Sequence, residues 1–269
     1  MTAGTGERLD AALAARGLAA SRTRAARLIS AGAVLVDGAP IRKPSARVGE
    51  EAVLEVAVPE RYVGRAAHKL VAALDAFGLE AAGRLCLDAG ASTGGFSQVL
   101  LERGAELVIA VDVGHGQLAP EVAADPRIRS FEGVNVRHLD RRGLAELTGS
   151  GARPDLVVAD LSFISLTQVL PALAGIAADP ADLVVLIKPQ FEVGRAEIGT
   201  GVVRRAGLRR SAVERVLVSA EDAGLTVAGL NASPILGADG NHEYLAHLTS
   251  RPGADRPEWS SLLTKVVDA

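Results

Sequence analysis

The run "LVVLIKPQFE" over residues 183–192 constrains the fold more than any other feature of the chain. Five consecutive apolar side chains, with no polar alternation, read as a strand buried on both faces. Such strands belong to parallel sheets covered by helices. Pro189 ends the run and leaves Lys188 at its carboxyl tip. Open α/β sheets bind ligands at the carboxyl ends of their strands, so an amine delivered there is a candidate functional group. The same kind of run recurs, and strands are expected at 84–88, 106–112, 128–132, 155–160, 182–188, 225–231 and 243–249. Helical segments are expected at 66–78, 95–103, 140–147, 165–178 and 205–223. Alternation at this spacing means βαβ units and a mostly parallel sheet. The last two strands lie too close together for a helical crossover and predict an antiparallel hairpin through "SPILGADGNHEY". The tail predicts a short amphipathic segment docked on the body through Trp259 and Leu262.

The first 57 residues follow another pattern. "ERLDAALAARG" puts Leu9, Leu13 and a capping Gly17 at helical spacing. "SRTRAARLISAG" opens on a Ser21 cap, carries Ala25, Leu28 and Ile29 on one face, and ends at Gly32. A strand, an Asp37-Gly38 turn and the closing strand "AVLEV" complete a small α+β unit. The expected division is a head over 1–58, a linker over 59–65 and an α/β body over 66–269. The net charge is −3, but residues 1–49 hold eight basic against three acidic side chains, a net +5, which leaves −8 for the remainder. A basic head on an acidic body points to a polyanion partner for the head. The single Cys86, inside "RLCLDAG", excludes a disulfide framework and reads as a core thiol in a reducing cytoplasm. No apolar run approaches the roughly 18 residues of a membrane span, and "MTAGTGERLD" has no apolar signal core, so no membrane association is expected.

"LCLDAGASTGGFSQ" is the first βα unit of the body. A glycine-rich turn lets a ligand approach the backbone, and the helix after it offers free N–H groups. A dinucleotide fingerprint wants G-x-G-x-x-G, whereas this turn has Gly90, Ser92, Gly94 and Gly95 with Asp88 two residues ahead. A carboxylate there would repel a phosphate but accept a cationic sulfonium with an amino-acid tail. The turn therefore favours S-adenosylmethionine over a nicotinamide dinucleotide. Asp112 ends the next strand, where a carboxylate can bridge two ribose hydroxyls. Asp160 ends "RPDLVVAD", Glu243 opens the last strand in "GNHEYL", and Lys69 lies in "GRAAHKL". Charged residues ending strands of one sheet beside a cofactor loop should converge on one crevice.

The head motif, "RLDAALAARGLAASRTRAARLISAGAVLVDGAPIRKPSARV", resembles the alpha-L (S-four-type) RNA-binding domain. That resemblance implies that the second helix and the following turn face RNA, through Arg22, Arg24, Arg27 and Lys43. Arg8, Arg65 and Phe163 complete the candidate RNA-binding set. "LDAGASTGGFSQ", "ADLSF" and "LIKPQFE" resemble the FtsJ/RrmJ-like RNA 2′-O-ribose methyltransferases, on a Rossmann-like seven-stranded sheet. The resemblance implies a catalytic tetrad of Lys69, Asp160, Lys188 and Glu243, and a cofactor set of Asp88, Gly90, Ser92, Gly94, Gly95, Phe96, Asp112, Val113, Asn135 and Asp160. Head and body together resemble the TlyA family, whose members also carry haemolysin-like names. That likeness implies methylation of cytidine 2′-hydroxyls in 16S and 23S ribosomal RNA within ribosomal subunits, in the cytoplasm and with no protein partner. His242 before Glu243 departs from the pattern without breaking the tetrad.

A ribose 2′-hydroxyl is a weak nucleophile and needs a base or a cation at its oxygen. Lys188 can serve as either. No metal is required, and His68, His115, His138, His242 and His247 have no paired ligand spacing. Three other readings compete: a nicotinamide dehydrogenase, a non-catalytic RNA-binding module and a membrane-active haemolysin. Phe163 has two readings of its own. A core position under the following helix is favoured; the other is stacking on a target base.

Overall fold

A computed structural model of the chain describes residues 6–56, 61–194, 201–237, 239–251 and 259–267. It divides into two compact units, 1–61 and 62–269. In the head, strand β1 (Glu7–Arg8) precedes helices α1 (Leu9–Ala15) and α2 (Arg22–Ala31). Strands β2 (Val34–Val36), β3 (Ala39–Pro40), β4 (Arg47–Val48) and β5 (Leu54–Val56) follow. Ser21 caps α2 by accepting the Arg24 N–H, and Gly32 closes it in the left-handed region. Leu9, Leu13, Ala25, Leu28, Ile29 and Val34 form the head core. The sequence pattern placed Glu7 and Arg8 in the first helix. Instead they pair antiparallel with Val48 and Arg47, because the helix is entered from a strand that Leu9 extends by donating to Ala46 O. The head unit also runs on through Glu50, Glu51, Glu55, Glu60 and Arg61. Its balance is nine basic against seven acidic side chains, a net +2, so the charge split is smaller than residues 1–49 suggest.

The body holds β6 (Leu85–Ala89), β7 (Leu107–Asp112), β8 (Ile128–Glu132), β9 (Leu156–Ala159), β10 (Asp182–Ile187), β11 (Thr226–Ala232) and β12 (Tyr244–Thr249). Their order in the sheet is β11-β12-β10-β9-β6-β7-β8. All the neighbouring pairs from β10 to β8 are parallel, and β12 runs antiparallel to both β10 and β11. Helix α3 (Ala67–Phe77) and helix α4 (Gly95–Glu102) cover one face, with Cys86, Val108, Val158, Val184 and Leu186 beneath them. The other face carries Leu87, Ile109, Val157, Leu183, Val185 and Ile187. Over that face lie α7 (Leu170–Ile176), α9 (Ala206–Asp222) and α10 (Trp259–Val267), after the short α5 (Pro120–Ala123), α6 (Arg141–Thr148) and α8 (Pro189–Glu192). The expected helix over 165–178 is broken, a one-turn 3-10 segment (Leu166–Gln168) preceding α7. The terminal segment docks through buried Leu263 and Val267, with Trp259 and Leu262 half-buried beside them.

Strand order reverses between β6 and β9, since β7 follows on one side and β10 on the other. Such a switch point opens a crevice at the carboxyl ends of the strands. Residues 59 and 60 of the expected linker, like the last two of the expected head, lie outside the described residues. Its second half belongs to the body: Tyr62 packs into the core under α3 and α4, and the Val63 N–H donates to Gln98 Oε1.

Candidate active site

Strand alternation explains how the four tetrad residues meet. Even-numbered residues of β9 and β10 (Leu156, Val158, Val184, Leu186) face α3, and so does Leu245 of β12. One residue beyond each strand, Asp160, Lys188 and Glu243 carry on that alternation. They therefore reach the side that α3 covers, where Lys69 waits. Lys69 Nζ lies 2.5 Å from Glu243 Oε2, and the two are 5% and 4% exposed. Lys188 Nζ lies 2.6 Å from Asp160 Oδ1 and donates to Ser162 Oγ at 2.9 Å. Burial of an ion pair is tolerated only where each charge keeps its partner, so each pair holds its own two side chains in place.

Two neighbouring cavities open at the crevice. The first, about 620 Å³, is lined by Gly90, Ser92, Asp112, Val113, Asn135 and Asp160, together with Gln117, Val134 and Val169. Gly90 has φ +84°, and a Cβ there would lie 2.8 Å from the Asp160 carbonyl oxygen, so only glycine lets the turn approach β9. Ser92 adopts φ +47°, held by its N–H to Asp112 Oδ2 at 2.9 Å. Asp112 Oδ1 takes the Gly114 N–H at 2.7 Å, so this carboxylate orders two turns while it faces the cavity. Val113, 64% exposed, forms an apolar shelf at the mouth. The second cavity, about 780 Å³, is lined by Lys69, Lys188, Glu243, Arg65 and Arg137 with Gln190 and Phe191. Ser162, Phe163 and Ile164 line both. Asp160 of the first cavity grips Lys188 of the second, so the amine stands at their junction.

Some candidate residues lie behind the walls. Asp88 has Cys86's parity in β6, so its carboxyl points under α4 and not out of the strand end. It is 0% exposed, accepts from Ser97 Oγ at 2.7 Å, and leaves Oδ1 without a partner. Burial pushes its carboxyl up to about 7 against the opposing Ser97 hydrogen bonds. Phe96 is a core residue beneath α3, and Gly94 and Gly95 serve helix packing, against Leu118 and the Ala67 backbone. Cys86 is wholly buried, with its thiol pushed up to about 12 by burial.

The favoured core reading of Phe163 is overturned. It is 92% exposed, sits at φ +65° and leans on Phe191 with ring centroids 5.2 Å apart. A bulky residue at positive φ is strained, and such strain collects at functional sites. Glu192, which sequence reasoning passed over, is buried and accepts from Ser165 Oγ (2.5 Å) and the Leu166 N–H (2.8 Å). It ties the Lys188 turn to the Phe163 loop. In the head, Arg8 is bound by Asp10 through two hydrogen bonds, and Arg22 lies 3.5 Å from the same carboxylate. Arg27 and Lys43 are exposed, and Arg24 is half-buried.

This sheet order, with a glycine turn at the switch point and lysine–carboxylate pairs at the strand tips, defines a methyltransferase of the FtsJ-like class. Residues 62–250 match the FtsJ-like methyltransferase family model, and residues 7–54 match that of the S4 domain. A Mycobacterium tuberculosis protein named 16S/23S rRNA (cytidine-2′-O)-methyltransferase TlyA is 50% identical over 247 residues, 91% of this chain and 90% of its own. Hemolysin A of Brachyspira hyodysenteriae is 36% identical over 241 residues, 89% of this chain and 98% of its own. A solved structure of a hemolysin-named protein from Streptococcus thermophilus superposes with a TM-score of 0.76 at 39% identity, covering 97% of this chain and 94% of that one. The chain belongs to the TlyA family of FtsJ-like methyltransferases that carry an S4 domain.

Proposed function

We propose that this protein methylates the 2′-oxygen of cytidine in ribosomal RNA, of the small subunit, the large subunit or both, with S-adenosylmethionine as donor. The observation that carries the reading is the Asp160–Lys188 pair at the junction of the two cavities. The name of the tuberculosis relative supports the substrate.

The first cavity fits the donor. Asp112 faces it with a carboxylate suited to ribose hydroxyls, Val113 and Val134 offer apolar surface to an adenine, and Gly90 and Ser92 leave backbone room for an amino-acid tail. Asn135, at the cavity wall, accepts the Arg137 N–H at 3.1 Å, which fixes the wall's position. When bound, S-adenosylmethionine supplies an electrophilic methyl group on a sulfonium. The second cavity takes the acceptor ribose. Lys188 donates to the 2′-oxygen, orients its lone pair and offsets the negative charge that grows on it as the hydroxyl proton leaves to water in the open cavity. Asp160 and Ser162 hold the ammonium on that line. The Lys69–Glu243 pair fixes the far wall. Arg65 and Arg137 at the same cavity meet the phosphates beside the acceptor. Phe163 stacks on the acceptor base once it leaves its helix. In the head, Arg27 and Lys43 supply the backbone contacts that hold the subunit, with Arg22 and Arg24 beside them and Arg8 set by its Asp10 pair. Ribosomal subunits as substrate place the enzyme in the cytoplasm. No helix among the described residues is long and apolar enough to cross a membrane.

The test is nucleoside mass spectrometry of ribosomal RNA from cells with and without this protein. 2′-O-methylcytidine that disappears with the gene is the expected result. An unchanged 2′-O-methyl profile would overturn the reading.

A further inference from the structure

The body unit is acidic, at a net −5, the chain's −3 less the head's +2. Arg84, Arg103, Arg127, Arg142 and Arg251 of this unit each pair with a carboxylate. The stretch 201–213 departs from that pattern, with Arg204, Arg205, Arg209 and Arg210 and no acid. Among the described residues no carboxylate pairs with Arg204, Arg209 or Lys265.

Two open cavities gather these cations. One, about 370 Å³, is lined by Arg204, Arg209, Asp239 and His242 with Val202 and Val203. The other, about 580 Å³, shares Arg209 and His242 with it and adds Asn231, Tyr244 and, from α10, Lys265. The smaller one also shares Asp239 with the acceptor cavity, and its Val202 follows Gly201 of that cavity. The three cavities therefore form one groove, running from Lys188 past His242 to Lys265. Arg204, His242 and Lys265 are exposed in it. Arg209 donates from Nε to Tyr244 Oη at 3.1 Å and from Nη1 to the Arg204 carbonyl at 2.7 Å, which sets its guanidinium and leaves Nη2 free. Buried Asn241 accepts the Val203 N–H and donates to the Gly201 carbonyl, both at 2.9 Å, and so bolts the segment before α9 to the turn that carries His242.

We infer that this groove holds the RNA strand that leaves the acceptor nucleotide, with Arg204, Arg209, His242 and Lys265 meeting its phosphates. The inference rests on the ribose-methylation reading above. Clefts lined by one sign of charge concentrate ligands of the other sign, and guanidinium and ammonium groups are strong phosphate partners. The groove begins where the acceptor ribose sits and runs through two further cavities, so a polymer of regularly spaced phosphates suits it better than a single small anion. It also gives His242, the departure in "GNHEYL", a place beside the strand.

The experiment is a salt series of ribosomal-subunit binding with the full chain. Arg204→Ala with Lys265→Ala should flatten the log–log slope by about one and a half units, the value for two lost phosphate contacts. The variant should raise KM for subunits by about tenfold, the loss falling on KM rather than kcat. Its melting temperature and S-adenosylmethionine affinity should match wild type. Asp239→Asn, which removes the acid at the junction, should bind subunits more tightly. Hydroxyl-radical footprinting of the same complexes locates the contact. Wild type should shield a run of RNA backbone continuous with the acceptor nucleotide, and the double variant should lose that run and keep the protections made by the head. Equal slopes and affinities in wild type and the double variant would overturn the inference, as would Asp239→Asn binding no tighter than wild type. Weaker binding with an unchanged footprint would assign the groove to an acidic protein surface and overturn it too. Those results leave the methylation reading standing. Wild type that binds subunits without transferring methyl would overturn that reading instead, and the slope comparison would still decide whether the groove holds RNA.

Discussion

The Lys69–Glu243 pair gives the sharpest energetic prediction. Both side chains are almost wholly buried, and each is the other's ionic partner. Lys69→Met leaves the Glu243 carboxylate in a dry site, and Glu243→Gln leaves the Lys69 ammonium there. Breaking a buried pair from one side costs about 3–5 kcal/mol. For a body of this size that lowers the melting temperature by about 6–20 °C. The double variant removes both charges, and apolar or neutral replacement of a whole buried pair is often near neutral, so it should melt within a few degrees of wild type. Its stability should therefore exceed that of either single variant. Denaturant titration of all four proteins closes the double-mutant cycle. Methyl transfer should be lost in all three variants, since the cavity wall loses its charges. Additive destabilisation, with the double variant worse than either single one, would refute the claim that the two residues form one buried unit.

Three further outcomes follow from the site. Burial holds the Asp88 carboxyl at about 7, above its ordinary 3.8, so between those values the folded chain keeps a proton that the unfolded chain releases. That contribution is intact below about pH 4 and falls as pH rises to 7, by about 4 kcal/mol at most; Asp88→Asn should flatten this slope in unfolding titrations, and an unchanged slope would show that Asp88 is not the source. Phe163→Ala removes a side chain that is 92% exposed, so its melting temperature should move by no more than about 2 °C while methylation drops about tenfold or more; a large melting loss with unchanged specific activity would return Phe163 to the core. In a salt series of subunit binding, Arg27→Ala with Lys43→Ala should flatten the log–log slope by about two units relative to wild type, and equal slopes would remove the head as the electrostatic anchor.

The strand tips were legible in the sequence because apolar runs ending in a charge leave little choice of place. "LVVLIKP" had to deliver Lys188, and "LVVAD" had to deliver Asp160. The seven runs also imply the sheet, and their spacing implies the reversed last strand. What the runs hide is direction. Asp88 looked like a ligand because it follows an apolar strand, yet period-two alternation turns it under α4, with Phe96 packed on the same side. Phe163 looked like core because aromatics usually are, but a left-handed backbone at that residue turns its ring to solvent. Gln117, Arg137 and Gln190 carry no local signal, since they reach the cavities from a loop and from single-turn helices whose course depends on tertiary bonds such as Glu192 to Leu166. The head's charge depended on where the unit ends, and the charged residues after 49 cut its net charge from +5 to +2.

The central claim is that the Lys188 amine acts on the ribose oxygen and not on the cofactor. Single-turnover transfer of labelled methyl to unmethylated ribosomal subunits tests it, with wild type and Lys188→Ala compared at matched S-adenosylmethionine occupancy measured by calorimetry. The account predicts near-equal cofactor affinity in the two proteins, label in 2′-O-methylcytidine with wild type, and loss of transfer by at least about a hundredfold in the variant. Near wild-type turnover by Lys188→Ala, or a loss explained wholly by weaker cofactor binding, would contradict it.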